Sequence, residues 1–231
     1  MSIRHACLSL CLAALAAASP ASAELRAWAL DPVHTRVSFA IDHAGFSKAR
    51  GAFSGTAGML AFDPDAQDWA GAALEVDIPL ASLELGDAKW NEAALARGLL
   101  DAQRHPVARF VSTRIEAIDA RHAIVHGRLS LRGETRPLSL DVVLNAVKRH
   151  PLPPFRRTAG FSATATLKRS DFGSTAWASV IGDDVELHIE AEAVLARGGA
   201  QGEAIGPQPG NDPDGEVVPD PDAPPDPEPT P

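Results

Sequence analysis

Between 185 and 193 every second residue is apolar: Val185, Leu187, Ile189, Ala191 and Ala193 alternate with Glu186, His188, Glu190 and Glu192. Side chains of an extended chain point alternately to opposite faces, so this pattern predicts a strand with one dry and one wet face. Residues 36–42 repeat it, with Val37, Phe39 and Ile41 on one face and Arg36, Ser38 and Asp42 on the other. Leu138, Leu140, Val142 and Leu144 are set against Ser139, Asp141 and Asn145, and Phe161, Ala163, Ala165 and Leu167 against Ser162, Thr164 and Thr166. Weaker alternation runs through 52–62, 74–78, 107–116 and 124–131. About eight strands follow, joined by Gly, Asp, Asn and Pro turns. Residues 87–100 contain no β-branched side chain and are rich in Ala and Leu, so they predict a helix that interrupts the strands midway.

Antiparallel strands with one apolar face must stack as two sheets or close into a barrel. An eight-stranded barrel has no free edges and is wide enough for one slim ligand. Two features favour a hollow barrel over a filled sandwich. The residues assigned to the inner face include Ala40, Ala163, Ala165, Ala191 and Ala193, and the whole chain has eight Phe, four Trp and no Tyr.

Composition adds two terminal segments. Residues 1–23 read as a secretory signal: Arg4 and His5, an apolar run over 6–18, then Ala21-Ser22-Ala23 as the small-x-small cleavage pattern. The run is too short to remain as a bilayer-spanning helix, so no stable membrane insertion is expected after cleavage. Both cysteines, Cys7 and Cys11, lie inside it, so the mature chain is expected to have no disulfide and no cysteine nucleophile. At the other end, ten of the 19 prolines fall between Pro207 and Pro231, among Asp, Glu and Gly. Residues 198–231 are therefore expected to be a disordered acidic tail, with the folded domain at 24–197. The net charge of −9 is largely this tail's, since Glu203 onward carries acidic residues and no Lys or Arg. With no basic face, nucleic acid is not an expected partner.

Candidate chemistry is sparse. No nucleophile elbow, zinc-protease motif or phosphate loop is present. His34 and His43 are nine residues apart, which sets them on opposite faces of a strand; His122 and His126 could meet around a turn but lack a third ligand; His188 sits on a wet face. Neither a metal nor a cofactor is expected. Arg169-Ser170-Asp171 is the densest polar cluster, read either as a turn with Gly173 at positive φ or as a polar rim.

The chain also resembles a known family. Trp28, Leu30, Asp31, His34, Thr35, Val37 and Phe39 follow the spacing aromatic-x-I/L-D-x-x-H-S/T-x-V-x-F of the YceI-like proteins. Gly51-Ala52-Phe53, His105-Pro106 with Phe110, Ser112 and Thr113, and the run 127–136 are similar to further segments of that family. So are Arg169-Ser170-Asp171-Phe172-Gly173 and Ile181-Gly182-Asp183 with Val185, all in the family's order. One segment departs: where the family has R-D-x-H-L, this chain reads Lys89-Trp90-Asn91-Glu92-Ala93.

The resemblance implies an all-β, eight-stranded antiparallel lipocalin-like barrel, with the helical insert near 87–100, exported to the bacterial periplasm. It also implies a binding or carrier protein, not an enzyme, whose lumen holds a polyisoprenoid or other long-chain lipid. Phe39, Ile41, Phe53, Phe110, Phe161, Phe172 and Trp177 are the candidate lining, with His34 and Arg169 near the head group. An enzyme acting on such a lipid through His34 or Asp171, or a filled barrel with a stress-related structural role, are the alternatives. Self-association into a homodimer stays open.

Overall fold

In the computed structural model, which describes residues 25–65 and 69–196, the alternating stretches become ten strands of one antiparallel sheet. They are β1 (Arg26–Leu30), β2 (Arg36–His43), β3 (Ser47–Phe53), β4 (Ala57–Phe62), β5 (Ala73–Pro79), β6 (Val107–Ala117), β7 (His122–Leu131), β8 (Glu134–Arg149), β9 (Arg157–Lys168) and β10 (Ile181–Leu195). The order is β1-β4-β5-β6-β7-β8-β9-β10-β2-β3, and an additional β1–β10 pairing closes the sheet on itself. The segments read as signal and acidic tail, with Cys7 and Cys11, lie outside the described residues.

Ten strands make eight staves because two staves are broken. β10 pairs with β9 along one edge, while its other edge is shared by β2, opposite Ile181 to Glu190, and β1, opposite Ala193 to Leu195. The partners of β2 and β1 are β3 and β4, so the second stave breaks beside the first. The first break is a turn in which Oδ1 of Asp31 accepts the N–H groups of Val33 (2.9 Å) and His34 (3.3 Å). The second lies at Ser54, Gly55 and Thr56, where Gly55 has φ 64°. Residues 52–62 therefore form parts of two strands and not one: a residue in the left-handed region ends the ladder, and glycine reaches it without strain.

The helix is shorter than the composition suggested. α1 spans Ala88–Leu95, capped by Asp87, whose carboxylate accepts the N–H groups of Lys89 and Trp90 at 3.0 Å each. It ends where Ala96 turns extended, with ψ 163°. The insert that carries α1 lies across one end of the barrel. Ala52 and Glu84 exchange backbone hydrogen bonds (3.0 and 2.9 Å), and Arg132 donates to the carbonyl of Arg97 (3.2 Å).

The opposite end is plugged by aromatic rings. Phe62 sits with its ring centroid 6.4 Å from Trp28, 5.2 Å from Trp69 and 6.0 Å from Phe161, and all four residues are buried. The indole N–H groups find acceptors, that of Trp28 in the Phe62 carbonyl (3.1 Å) and that of Trp69 in the Asp119 carbonyl (3.0 Å), so neither leaves an unpaired donor in the core.

Two placements differ from the pattern reading. Ala40 is buried but belongs to the outer face of β2, paired with Arg50 and Glu186, because Val37, Phe39 and Ile41 take the inner face. His122 and His126 do not meet around a turn. Both lie within β7, where His122 contacts Asp141 (2.6 Å) and His126 contacts Ser139 (2.8 Å).

Candidate functional site

The dry faces of the staves do not meet at the barrel axis. They enclose a cavity of about 600 Å³, within the ~300–1,000 Å³ range of ligand sites. Each stave contributes alternate residues. Val185, Leu187, Ile189 and Ala191 come from β10, Leu138, Leu140 and Val142 from β8, and Leu74, Val76 and Ile78 from β5. Period-two patterning thus builds the wall directly, since every inward position is two residues from the next. The insert adds Leu85, Trp90, Ala94 and Leu100, so its apolar side forms wall rather than a separate surface patch.

Polarity is confined to a few groups. The ionisable residues on the lining are Asp42, His43 and Arg169, and the uncharged polar ones are Thr35, Thr56 and Ser174. Most are already engaged. Asp42 accepts the N–H of Gly45 (3.0 Å), the His43 ring lies 5.5 Å from that of Trp90, and the Thr35 hydroxyl reaches the Glu192 carbonyl (3.4 Å). The Thr56 hydroxyl is buried without a hydrogen-bond partner.

Arg169 is the unusual case, a charged residue only 7% exposed beside an apolar cavity. Its Nε donates to the Gly182 carbonyl (2.7 Å), Nη1 to those of Ser174 (2.6 Å) and Ala176 (3.0 Å), and Nη2 to that of Ile181 (2.9 Å). Four of the five guanidinium N–H groups are thus spent on the loop that follows the turn and on the first two residues of β10. The turn that presents it, Arg169–Phe172, ends at Gly173 with φ 70°. Asp183 fastens that turn by accepting the Ser170 N–H and hydroxyl, both at 2.9 Å, and the backbone N–H above all holds its carboxyl below the usual aspartate value.

Of the nine residues singled out from the sequence, Phe39, Ile41, Phe53, Phe110, Phe161, Trp177 and Arg169 border the cavity. Phe39 and Phe53 lie against each other across the β2–β3 pair, with centroids 5.7 Å apart. Phe172 and His34 are placed elsewhere. Phe172, the last residue of the Arg169–Phe172 turn, is buried with the hydrophobic core but does not border the cavity. His34 lies on the exposed turn between β1 and β2, where its Nδ1 contacts the Asp31 carboxylate at 2.9 Å. That hydrogen bond, with the attraction of the same charge, raises the His34 pKa. Arg169 borders the cavity with its hydrogens turned to backbone, which makes it a fastener of the loop that carries Trp177. The sequence reading missed His43 and Trp90. Trp90 could have been marked by its place on the one helical insert, whereas His43 falls on the lumen face by the same alternation as Ile41.

A catalytic arrangement would bring a base, an orienting partner and a reacting group together. The paired histidines instead lie on the outer wall, His126 between Ser139 and Glu116 and His122 against Asp141. The cavity's own chemistry is apolar enclosure.

The comparisons agree with this architecture. Residues 28–193 match the YceI-like domain. A UPF0312 protein of Pseudomonas savastanoi pv. phaseolicola is 33% identical over 143 residues, 61% of this chain and 71% of that protein. Among solved structures, Burkholderia cenocepacia BcnA superposes with a TM-score of 0.62 at 23% identity, covering 71% of this chain and 98% of that one. A polyisoprenoid binding domain from Saccharophagus degradans, implicated in plant cell wall breakdown, gives a TM-score of 0.54 at 15% identity, over 74% and 99% of the two chains. With a domain match that runs from within β1 to within β10 and a curated relative at one-third identity, this chain belongs to the YceI-like family.

Proposed function

We propose that this protein is a periplasmic carrier that encloses a long apolar chain, of polyisoprenoid type, in its barrel. The observation that carries the reading is the cavity of about 600 Å³, walled by aliphatic and aromatic side chains and blocked at one end by the Trp28, Phe62, Trp69 and Phe161 rings. A blind apolar tube takes the tail of an amphiphile and leaves its head outside. The polyisoprenoid-binding Saccharophagus degradans domain, which shares the fold, supports the ligand class. The export pattern of residues 1–23 supports the compartment.

Apolar burial supplies the driving force. Each buried CH₂-sized group is worth about 0.8 kcal/mol on leaving water, so three five-carbon units give roughly 12 kcal/mol gross. That reaches the upper part of the ~4–15 kcal/mol range estimated for association costs, so tails of about three units are the shortest retained and longer ones are held more tightly. A lining with so few free polar groups sorts ligands by width and length, not by directed hydrogen bonds. The reading is one of binding without turnover, supported by a described lining that is apolar except for Thr35, Asp42, His43, Thr56, Arg169 and Ser174.

The reading is tested by titrating a series of prenols of increasing length into lipid-free protein and following tryptophan emission, with Ala163→Phe as the filled-lumen control. Ala163 borders the cavity, and the added ring occupies space the ligand needs. Affinity that rises with chain length and is lost in Ala163→Phe supports the carrier. Equal response of the two proteins overturns it.

A further inference from the structure

Three aromatic side chains stand out of the fold at the cavity's outer end. Phe46 is 92% exposed, Trp177 69% and Trp90 47%. They come from three separate segments: the β2–β3 turn, the loop between the Arg169 turn and β10, and α1. Those segments meet. Ala44 donates its N–H to the Val180 carbonyl (2.6 Å), and the His43 ring contacts that of Trp90. The N–H groups of Val180 and Ile181 both donate to the Trp177 carbonyl (2.8 Å each). Trp90 and Trp177 also border the cavity, so the rim is continuous with it.

The outward presentation is built into the backbone. Ala44 and Trp177 have φ of 55° and 58°, in the left-handed region that non-glycine residues seldom occupy. Arg169 ties the second loop to the start of β10 through the Ser174 and Ala176 carbonyls of the loop and the Ile181 and Gly182 carbonyls of the strand. Clustered apolar side chains at a surface mark an interaction site, and Trp suits one that is apolar on one side and wet on the other. The opposite end also exposes Leu152 and Phe155, but these border no part of the cavity.

Charge narrows the partner. Residues 44–47 (Ala-Gly-Phe-Ser) and 173–181 (Gly-Ser-Thr-Ala-Trp-Ala-Ser-Val-Ile) contain no ionisable group. An anionic surface would call for clustered Lys and Arg, which these segments lack. With Lys89 and Glu92 of α1 balancing each other, the three segments carry no net charge, and a rim of Phe and Trp on such segments matches the interface of a zwitterionic bilayer, where such rings settle at head-group depth.

We propose that this aromatic rim docks the mouth of the cavity onto a zwitterionic phospholipid bilayer, so that the apolar chain passes between membrane and barrel without crossing water. The proposal rests on the carrier reading. It adds a route: acyl chains are about as apolar as leucine, so direct exchange is nearly balanced, whereas release into water is strongly uphill.

The test is flotation of the natively isolated, lipid-stripped protein with phosphatidylcholine–phosphatidylethanolamine vesicles, alongside farnesol binding measured in solution without vesicles. The wild type is expected to float with the vesicles. Phe46→Ser, whose side chain is exposed and outside the cavity lining, is expected to lower the bound fraction at least about five-fold while keeping its farnesol affinity, and Phe46→Trp to restore flotation. A wild type that binds farnesol but stays unbound in the gradient overturns the docking and leaves the carrier reading intact. Equal flotation of wild type and Phe46→Ser overturns the rim, as does dimerisation through Phe46 in place of vesicle binding. Loss of farnesol binding by the wild type counts against the carrier reading, and the docking proposal falls with it.

Discussion

Nη1 of Arg169 donates to the carbonyl oxygen of Ser174 at 2.6 Å, across the tight turn that separates the two residues. With its bonds to Ala176, Ile181 and Gly182, this contact makes one buried guanidinium the anchor of the loop that carries Trp177. Arg169→Ala leaves these carbonyls and the space between them unfilled, and is expected to cost about 3–5 kcal/mol. Arg169→Lys recovers little, because a single ammonium cannot reproduce the planar fork. Urea unfolding gives the stability loss, and hydrogen exchange over 174–182 shows whether the loop is released.

Glycine spacing in the wall predicts a contrast between two alanine substitutions. A Cβ at Gly58 would lie 2.4 Å from the carbonyl oxygen of Glu75, which is backbone in the next strand and cannot yield. A Cβ at Gly51 would meet side chains, Phe39 Cζ at 2.6 Å and Leu85 Cδ2 at 2.8 Å. Gly58→Ala is expected to destabilise by about 3 kcal/mol or more and Gly51→Ala by about 1–2 kcal/mol. Because Phe39 and Leu85 both border the cavity, Gly51→Ala should also weaken binding of a long chain. Chemical denaturation and the prenol titration measure the two effects.

His34 supplies a pH dependence that is separate from the cavity. Its pKa in the fold is raised above 6.5, first by the hydrogen bond to Asp31 and then by that residue's charge. A raised folded value means the contribution is fully present below about pH 6.5, the unfolded value, and is lost as pH rises through the folded one. Wild type should therefore exceed His34→Ala in stability at pH 5.5, with the gap closing by pH 9, while prenol affinity is the same for both. Thermal melts at the two pH values, with a binding titration, check this.

Thr56 carries a buried hydroxyl without a partner. Replacing it with valine keeps the shape and removes the unsatisfied group, so Thr56→Val is expected to be neutral or to stabilise by up to about 1 kcal/mol. Thr56→Ser keeps the hydroxyl, loses a methyl, and should destabilise. Denaturation midpoints of the pair separate the two contributions.

The staves were legible because alternation is the physical signature of a half-buried strand. The run from Val185 to Ala193 falls inside β10, and Leu138 to Leu144 inside β8. The breaks were harder to see. Apolar residues recur on both sides of a short interruption in 52–62, and Ser54, Gly55 (φ 64°) and Thr56 separate β3 from β4. Ala40 misled because alanine is small enough to be buried on either face of a strand, and here the outer face is covered by longer neighbours. The lumen's aromatic lining could be read from the face on which Phe39, Phe110 and Phe161 fall. The Arg169 anchor could not, since its acceptors are backbone carbonyls and any residue at 174, 176, 181 or 182 would offer the same oxygen. Phe172 was misplaced for a related reason: inside a turn, period-two spacing no longer reports which way a side chain points.

The carrier proposal places a long apolar chain in the barrel of this YceI-like protein. Native mass spectrometry of the protein, purified from the cell without detergent, tests it most directly. A carrier is expected to show a fraction of molecules heavier by one defined prenyl lipid, displaced on adding excess prenol, and no such species in Ala163→Phe. A wild-type mass equal to the bare chain, unchanged after incubation with prenols of every length, would contradict it.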